Sequence, residues 1–287
     1  MKDIPIRHLK TTLKDSSFSE SFSIRDVLEM LSGKDMVQEL HRHDFFFILL
    51  LKKGAGNHEI DFNSYKVRDN AIFFMRPGQV HQLNLKAGSS GYLMQFTRDF
   101  YSPEDNVAGQ RLRRASSKSL CQLDSEKVNS LLTIMNSIFR EYTNKQEGFQ
   151  EVVKANLGIF FIELIRNRKN DNSAITVTSS YQQERLEELF ELLEIHISTH
   201  KHVSQYADML NLSSYQLNAI TRVTLSKSCS ELINEYIILE SKRFLLATSN
   251  QVNQIAYQLG YEDVSYFIRF FKKHTGQSPE TFRLNLR

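Results

Sequence analysis

Ile255-Ala256-Tyr257-Gln258-Leu259-Gly260-Tyr261-Glu262-Asp263-Val264-Ser265-Tyr266-Phe267-Ile268-Arg269-Phe270-Phe271-Lys272-Lys273-His274-Thr275-Gly276-Gln277-Ser278-Pro279 decides the fold of the C-terminal third of the chain. It reads as helix, sharp turn, helix. Ala256 is small enough for the first helix to approach the second closely. Gly260 sits where the turn wants a residue tolerant of positive φ, and Asp263 is placed to cap the helix that follows. The same unit occurs about 50 residues earlier, where Ala207 matches Ala256 and Asn211 matches Gly260. With one extra residue in the second turn, Leu217 matches Phe267, Ile220 matches Phe270, Arg222 matches Lys272, Ser228 matches Ser278 and Leu232 matches Phe282. One such unit alone reads equally well as an ordinary αα-hairpin. Two, with matched small, turn and core positions, form the pattern of paired helix-turn-helix units, over about 203–223 and 252–273.

Moving towards the N-terminus, residues 169–182 are polar and lack helical periodicity, so they read as a linker. Residues 124–168 read as a helical hairpin. Asp124 is a good N-cap, and Val128, Leu131, Leu132, Met135 and Ile138 recur at three- and four-residue steps. A second helix, roughly Phe149 to Arg168, repeats the pattern with Val152, Val153, Leu157, Phe160, Phe161, Leu164 and Ile165. That stripe can cap a β domain or meet a second copy of itself. Residues 37–100 read as β. Phe45 to Leu51 is an apolar run suited to burial on both faces. Shorter runs follow over His58–Phe62, Tyr65–Val67, Ala71–Met75, Gln82–Leu85 and Gly91–Phe96, separated by polar turns. Many short strands mean a sandwich or a small barrel. The fold class expected is α+β: a barrel-like β domain over 1–123, the hairpin, the linker, and an all-α domain over 183–287.

Composition agrees with two globular domains and excludes several classes. The chain has 287 residues, 41% hydrophobic and 24% charged. The run Phe45–Leu51 is far too short to span a bilayer, and Met1 to Lys10 lacks the apolar core of a signal peptide. Cys121 and Cys229 cannot build a disulfide framework, so a cytoplasmic protein without a membrane partner is expected. No nucleophile–base constellation, P-loop or dinucleotide fingerprint marks an enzyme. Bulk charge does not decide the nucleic-acid question. Residues 183–287 carry 11 basic and 12 acidic side chains, net −1, but five of the acids lie in one opening helix between Glu184 and Glu194. Residues 195–287 carry ten basic and seven acidic residues, net +3.

The stretch from Ile255 to Pro279, continuing to Phe282-Arg283, resembles the signature of the AraC/XylS family of bacterial transcription regulators. His41-Arg42-His43-Asp44 before an apolar strand, then Pro77-Gly78-Gln79-Val80-His81, is similar to the cupin-type sensing domain common in that family. The resemblance implies a seven-helix module with two helix-turn-helix units across a central helix, here about Cys229 to Ala247. Its recognition helices would enter successive major grooves of promoter DNA. It implies a small-molecule effector, contact with RNA polymerase, and activation as the commoner mode; the homodimer is expected from the apolar stripe of the hairpin at 124–168. The first unit departs from the family pattern. Thr221 stands where a core Phe is usual, Ser226 where Gly ends the helix, and Cys229 where Pro follows; the second unit keeps Phe271, Gly276 and Pro279. The first recognition helix is therefore expected to be the less stable.

Helix geometry then proposes the DNA-binding residues. Over Ser214–Val223, Leu217 and Ile220 form the buried stripe, leaving Ser214, Tyr215, Asn218, Ala219 and Arg222 on the opposite face. Relatives commonly carry Arg at the Ala219 position. Over Asp263–Lys273, Phe267, Phe270 and Phe271 point inward. Val264, Ser265, Ile268 and Arg269 are left for the groove, with Lys272 and Lys273 suited to phosphate. Arg269 is the strongest base reader, by bidentate bonds to guanine, and Asn218 can pair adenine similarly. Ser213 and helix N-terminal N–H groups suit phosphate.

In the β domain, His41, His43, Phe45, Phe47, Phe73, His81 and Tyr92 are the expected ligand lining. His41 and His43, two apart at a strand start, share one face, and His81 can join them. Cupin enzymes use such a set with a Glu to hold a metal. Here Phe47 stands roughly where that Glu is expected, so the histidines are assigned to the ligand and the pocket rim, with no metal and no cofactor, while a metal site of His41, His43 and His81 alone stays open. Two alternatives stay open: a metal-dependent cupin enzyme fused to a DNA module, and a constitutive DNA binder whose β domain only dimerises.

Overall fold

Phe46-Phe47-Ile48-Leu49-Leu50-Leu51 is buried on both faces, because it runs through the middle of a sheet covered by a second sheet on one side and by helices on the other. The structure is a computed structural model and describes residues 6, 7, 9, 21–101, 106–170 and 180–285. The described residues up to 170 form one compact unit, and those from 180 form another.

The N-terminal unit runs β1 (Ile6–Arg7), β2 (Phe22–Asp26), α1 (Val27–Leu31), β3 (Met36–His43), β4 (Phe46–Lys53), β5 (Gly56–Ile60), β6 (Asn63–Val67), β7 (Ala71–Met75), β8 (Val80–Leu85), β9 (Ser90–Phe96), α2 (Arg98–Tyr101), α3 (Asn106–Ala115), β10 (Leu120–Gln122), α4 (Ser125–Asn144) and α5 (Phe149–Asn170). The expected β domain takes the form of two five-stranded sheets that do not join into one closed barrel. Their orders are β1-β3-β8-β5-β6 and β10-β7-β4-β9-β2. Period-two alternation divides β4 between two cores. Phe47, Leu49 and Leu51 face the first sheet, where they meet Ile60, Leu83 and Leu85. Phe46, Ile48 and Leu50 face the hairpin of α4 and α5, where they meet Leu131, Met135, Leu157 and Phe161. Asp124 caps α4, its side chain accepting from Lys127 N at 2.8 Å.

The hairpin therefore spends its stripe inside its own chain. Val153, Leu157, Phe160, Phe161 and Leu164 are all fully buried, and the outer face of α5 keeps only Val152 and Ile159 as exposed large apolar side chains. Of the expected linker, 169–170 ends α5 and 180–182 begins the next helix; residues 171–179 lie outside the described residues.

The C-terminal unit has seven helices among the described residues: α6 (Ser180–His196), α7 (Val203–Met209), α8 (Ser214–Leu225), α9 (Cys229–Ala247), α10 (Val252–Gln258), α11 (Val264–Thr275) and α12 (Pro279–Asn285). The repeat holds down to individual hydrogen bonds. Leu212 N donates to Ala207 O and Tyr261 N to Ala256 O, both at 2.9 Å, closing the same turn after α7 and α10. The pivot residues Asn211 and Gly260 have φ +53° and +72°. A Cβ on Gly260 would lie 1.7 Å from the Ser198 carbonyl, so the second turn admits only glycine. No helix among the described residues is long and apolar enough to cross a membrane.

Candidate effector site and nucleic-acid interface

The β domain gathers four histidines on the inward face of its first sheet. His41 and His43 do not begin the apolar strand, as the sequence suggested, but end the preceding one, β3. A bulge between Gln38 and His41 shifts the side-chain parity of β3, so that both rings turn inward where Leu40 and Arg42 otherwise would. His81 on β8 pairs directly with His41. His58 on β5 lies two residues from Ile60, the partner of His81, and so shares its face. All four are buried.

The Nε2 atoms of His41, His43 and His81 form a near-equilateral triangle: 3.0 Å from His41 to His43, 3.0 Å from His81 to His41, and 3.1 Å from His81 to His43. Two of the rings are held from behind. His41 Nδ1 donates to the Glu39 carbonyl at 2.7 Å, which fixes its proton there and leaves Nε2 with a lone pair. His81 Nδ1 lies 2.8 Å from His58 Nε2. His43 stacks on Phe45 and Phe47, with ring centroids 4.4 and 5.5 Å away. Its Nδ1 and that of His58 are buried without a hydrogen-bond partner. Burial pushes His43 and His58 down to about 3 and His41 and His81 below the ordinary histidine range. Neighbouring imidazoles add to it at His43, His58 and His81, whereas at His41 the bond to Glu39 opposes it and the Arg7 charge adds to it. Four neutral rings result.

Six of the seven expected lining residues, all but Tyr92, are thus brought together, with Phe45, Phe47 and Phe73 forming the apolar wall and His58 joining them. Tyr92 is corrected. It pairs with Leu50, shares that residue's face, and points at the helices, where its hydroxyl donates to Asn136 Oδ1 at 3.1 Å. His58 was missed, although its spacing from Ile60 in a strand-like run was the available signal.

In the helical unit, α8 and α11 are the second helices of the two motifs. Phe267 and Phe271 anchor α11, whereas Phe270 is only half-buried and packs on His274 at 4.6 Å. Ser265, Arg269, Lys272 and Lys273 are exposed on α11, with Val264 and Ile268 half-buried beside them. Exposed Tyr266, passed over in the sequence, lies on this helix too. Arg269 Nη2 is 3.8 Å from Asp263 Oδ2, a water-screened pair that leaves the guanidinium easy to redirect. On α8, Ser214, Tyr215 and Arg222 are exposed.

Ser213, expected on phosphate, and Asn218, expected on a base, both have structural duties on the first unit. Ser213 closes a capping box: its Oγ accepts from Gln216 N at 3.2 Å, while Gln216 Oε1 accepts from Ser213 N at 2.8 Å. Asn218 is half-buried. Its amide donates to the Ser214 carbonyl at 2.9 Å and its Oδ1 accepts from Cys229 N at 3.0 Å, so both ends of the group needed to read adenine are engaged within the fold.

Comparison with known proteins agrees with both halves. A model described as an AraC-like ligand binding domain matches residues 32–158, and one described as a helix-turn-helix domain matches 206–285. The HTH-type transcriptional activator RhaS of Pectobacterium carotovorum is 23% identical, over 95% of this chain and 97% of its own. The activator RhaR of Mannheimia succiniciproducens is 21% identical, over 85% and 86%. Likeness to solved structures of similar length is looser: ToxT of Vibrio cholerae, crystallised with an unsaturated fatty acid, is 16% identical over 92% of this chain and 95% of that one, with a TM-score of 0.41. With an AraC-like ligand-binding domain followed by a helix-turn-helix DNA-binding domain, the chain belongs to the AraC family of transcription regulators.

Proposed function

We propose that this protein is a cytoplasmic transcription activator. Its β domain binds a small effector, and α8 and α11 enter successive major grooves of promoter DNA. Naming of the relatives RhaS and RhaR as activators supports the direction of regulation, and contact with RNA polymerase is the route by which such a protein would act. The observation that carries the reading is α11 itself. Phe267 and Phe271 hold one face in the core while Ser265, Arg269, Lys272 and Lys273 lie exposed. Arg269 reads a base edge; Lys272 and Lys273, further along the helix, bind phosphate. On α8 the readers are Tyr215 and Arg222, with Ser214 at the helix start; Val264 and Ile268 supply apolar contact on α11.

The cognate site is obtained by selection from random duplexes with the full chain. Arg269→Ala then costs about 1–3 kcal/mol on the selected site and little on scrambled DNA. Lys273→Ala weakens both alike and lowers the salt slope by about one unit. Equal weakening of both DNAs by Arg269→Ala would make it a phosphate clamp and remove the assignment.

A homodimer belongs to the same proposal. The buried side chains Leu157 and Phe161 cannot form its interface, so the outer face of α5, with Val152 and Ile159, is the remaining apolar stretch of that helix. Ile159→Asp then gives monomers in sedimentation while retaining the wild-type helix content; an unchanged sedimentation coefficient would place the interface elsewhere.

A further inference from the structure

The triangle of Nε2 atoms cannot be explained by hydrogen bonds among the histidines alone. A neutral imidazole carries one N–H, and His41 commits its own to the Glu39 carbonyl. His41 therefore offers only a lone pair to the triangle. If neither His43 nor His81 carries its proton on Nε2, three lone pairs meet at 3.0–3.1 Å. If one does, two lone pairs still face each other. If both do, two hydrogens crowd against a single lone pair. A cation at the centre satisfies all three rings at once.

The dimensions suit a metal. An ion about 2.1 Å from each of three imidazole nitrogens, with angles between ~90° and ~110° at the ion, holds those nitrogens about 3.0–3.4 Å apart. The observed edges of 3.0–3.1 Å fall at the lower end of that range. Three imidazole atoms within ligand distance of one another form the one such group of histidine, cysteine and carboxylate side chains among the described residues. The rings also have outer partners of the kind that orient metal-bound histidines: the Glu39 carbonyl behind His41 and the His58 ring behind His81.

We infer that His41, His43 and His81 bind one divalent transition-metal ion of the imidazole-preferring class, zinc or iron(II) among them, and that an exogenous anionic oxygen donor completes its shell. Three neutral ligands leave the whole +2 charge inside a wall of Phe45, Phe47 and Phe73, which only an anion can balance. The group contains no carboxylate to do so, and the nearby cation Arg7, whose strand pairs in register with His43, adds to the need. This deepens the effector-binding reading of the β domain and rests on it for the role of that donor: the effector class becomes a small carboxylate or hydroxy acid.

The test uses the full-length chain, stripped with chelator and titrated with cobalt(II). One ion per chain is expected, with a visible ligand-field band and three paramagnetically shifted, exchangeable imidazole N–H resonances. Azide or acetate should shift the band. His81→Gln and His41→Gln should weaken binding at least 100-fold, and His58→Gln, which leaves all three ligands in place, about 10–100-fold. No uptake at micromolar cobalt or zinc, fewer than three shifted resonances in the wild-type protein, or wild-type affinity in His81→Gln would overturn the site. A band indifferent to azide and acetate would overturn the exogenous donor. The resonance count needs no variant, so a misfolded substitution does not blunt the test. Cognate DNA binding is measured on the same samples: its retention without metal uptake removes the ion alone, whereas its absence in the wild type removes the regulator reading alone.

Discussion

In the second helix-turn-helix unit, Phe271 fills the space beneath α11, with its ring 6.2 Å from that of Phe267 and 5.6 Å from that of Phe282. Α matched position in the first unit holds Thr221, fully buried, its hydroxyl donating to the Asn218 carbonyl at 3.1 Å. Eight residues further on, Pro279 opens α12, and its counterpart Cys229 opens α9. Proline has no N–H to satisfy, and at the first helical position it is at home. Cysteine does have one. In the first unit Asn218 supplies the acceptor; its counterpart in the second is Ile268, because nothing there asks for one. The two units thus share a backbone and differ in a linked pair of side chains. What was read in the sequence as a base-reading amide is the partner of a departure eleven residues away.

That linkage gives the larger of two tests of the comparison. Asn218→Ala leaves Cys229 N without its acceptor and should cost the first unit about 1–3 kcal/mol. In a Cys229→Pro background the same change should cost much less, since no donor remains to be stranded, and the cycle isolates the coupling. Hydrogen exchange of α8 and α9 amides in the full chain reads this unit separately, where one melting curve for two domains would not. An equal cost in both backgrounds would mean that Asn218 acts through its bond to the Ser214 carbonyl alone.

The same comparison explains what was legible in the sequence. The repeat could be read because its signals are local: a small residue, a left-handed pivot at Asn211 or Gly260, a cap at Ser213 or Asp263, and an apolar stripe at helical spacing. The central helix, about Cys229 to Ala247, was implied by the family resemblance and not by such signals, and the structure has a helix over those residues. The effector site depends on non-local facts. Whether His41 and His43 face inward is decided by a bulge that forms against β8, and no residue of β3 announces it. Whether Tyr92 joins them is decided by its register with Leu50. A one-residue slip in either strand would exchange the faces. His58 fell out of the reading because its partner His81 is 23 residues away on a different strand. Asn218 was misassigned for a related reason: its exposure was judged from α8 alone, without the start of α9 that packs beside it.

The smallest expected effect concerns the ends of the two recognition helices. Both close on a residue in the left-handed region, Ser226 at φ +57° and Gly276 at φ +80°, and in both the cap N–H donates to the carbonyl four residues back at 2.9 Å. The geometry is the same, so the residue type carries the difference. A side chain in that region meets its own backbone, a cost glycine avoids, partly offset by the greater freedom glycine loses on folding. Ser226→Gly should therefore stabilise the last turn of α8 by about 0.5–1 kcal/mol. The reverse change is a clean control. A Cβ placed on Gly276 meets nothing within 4 Å, so Gly276→Ser introduces no clash and should weaken the end of α11 by a similar amount. Exchange rates of the amides in the two final turns should move in opposite directions by several-fold. If Ser226→Gly leaves α8 unchanged while Gly276→Ser weakens α11, the first unit has already relaxed around its serine, and the lower stability expected of it must come from Thr221 beneath the helix rather than from the cap.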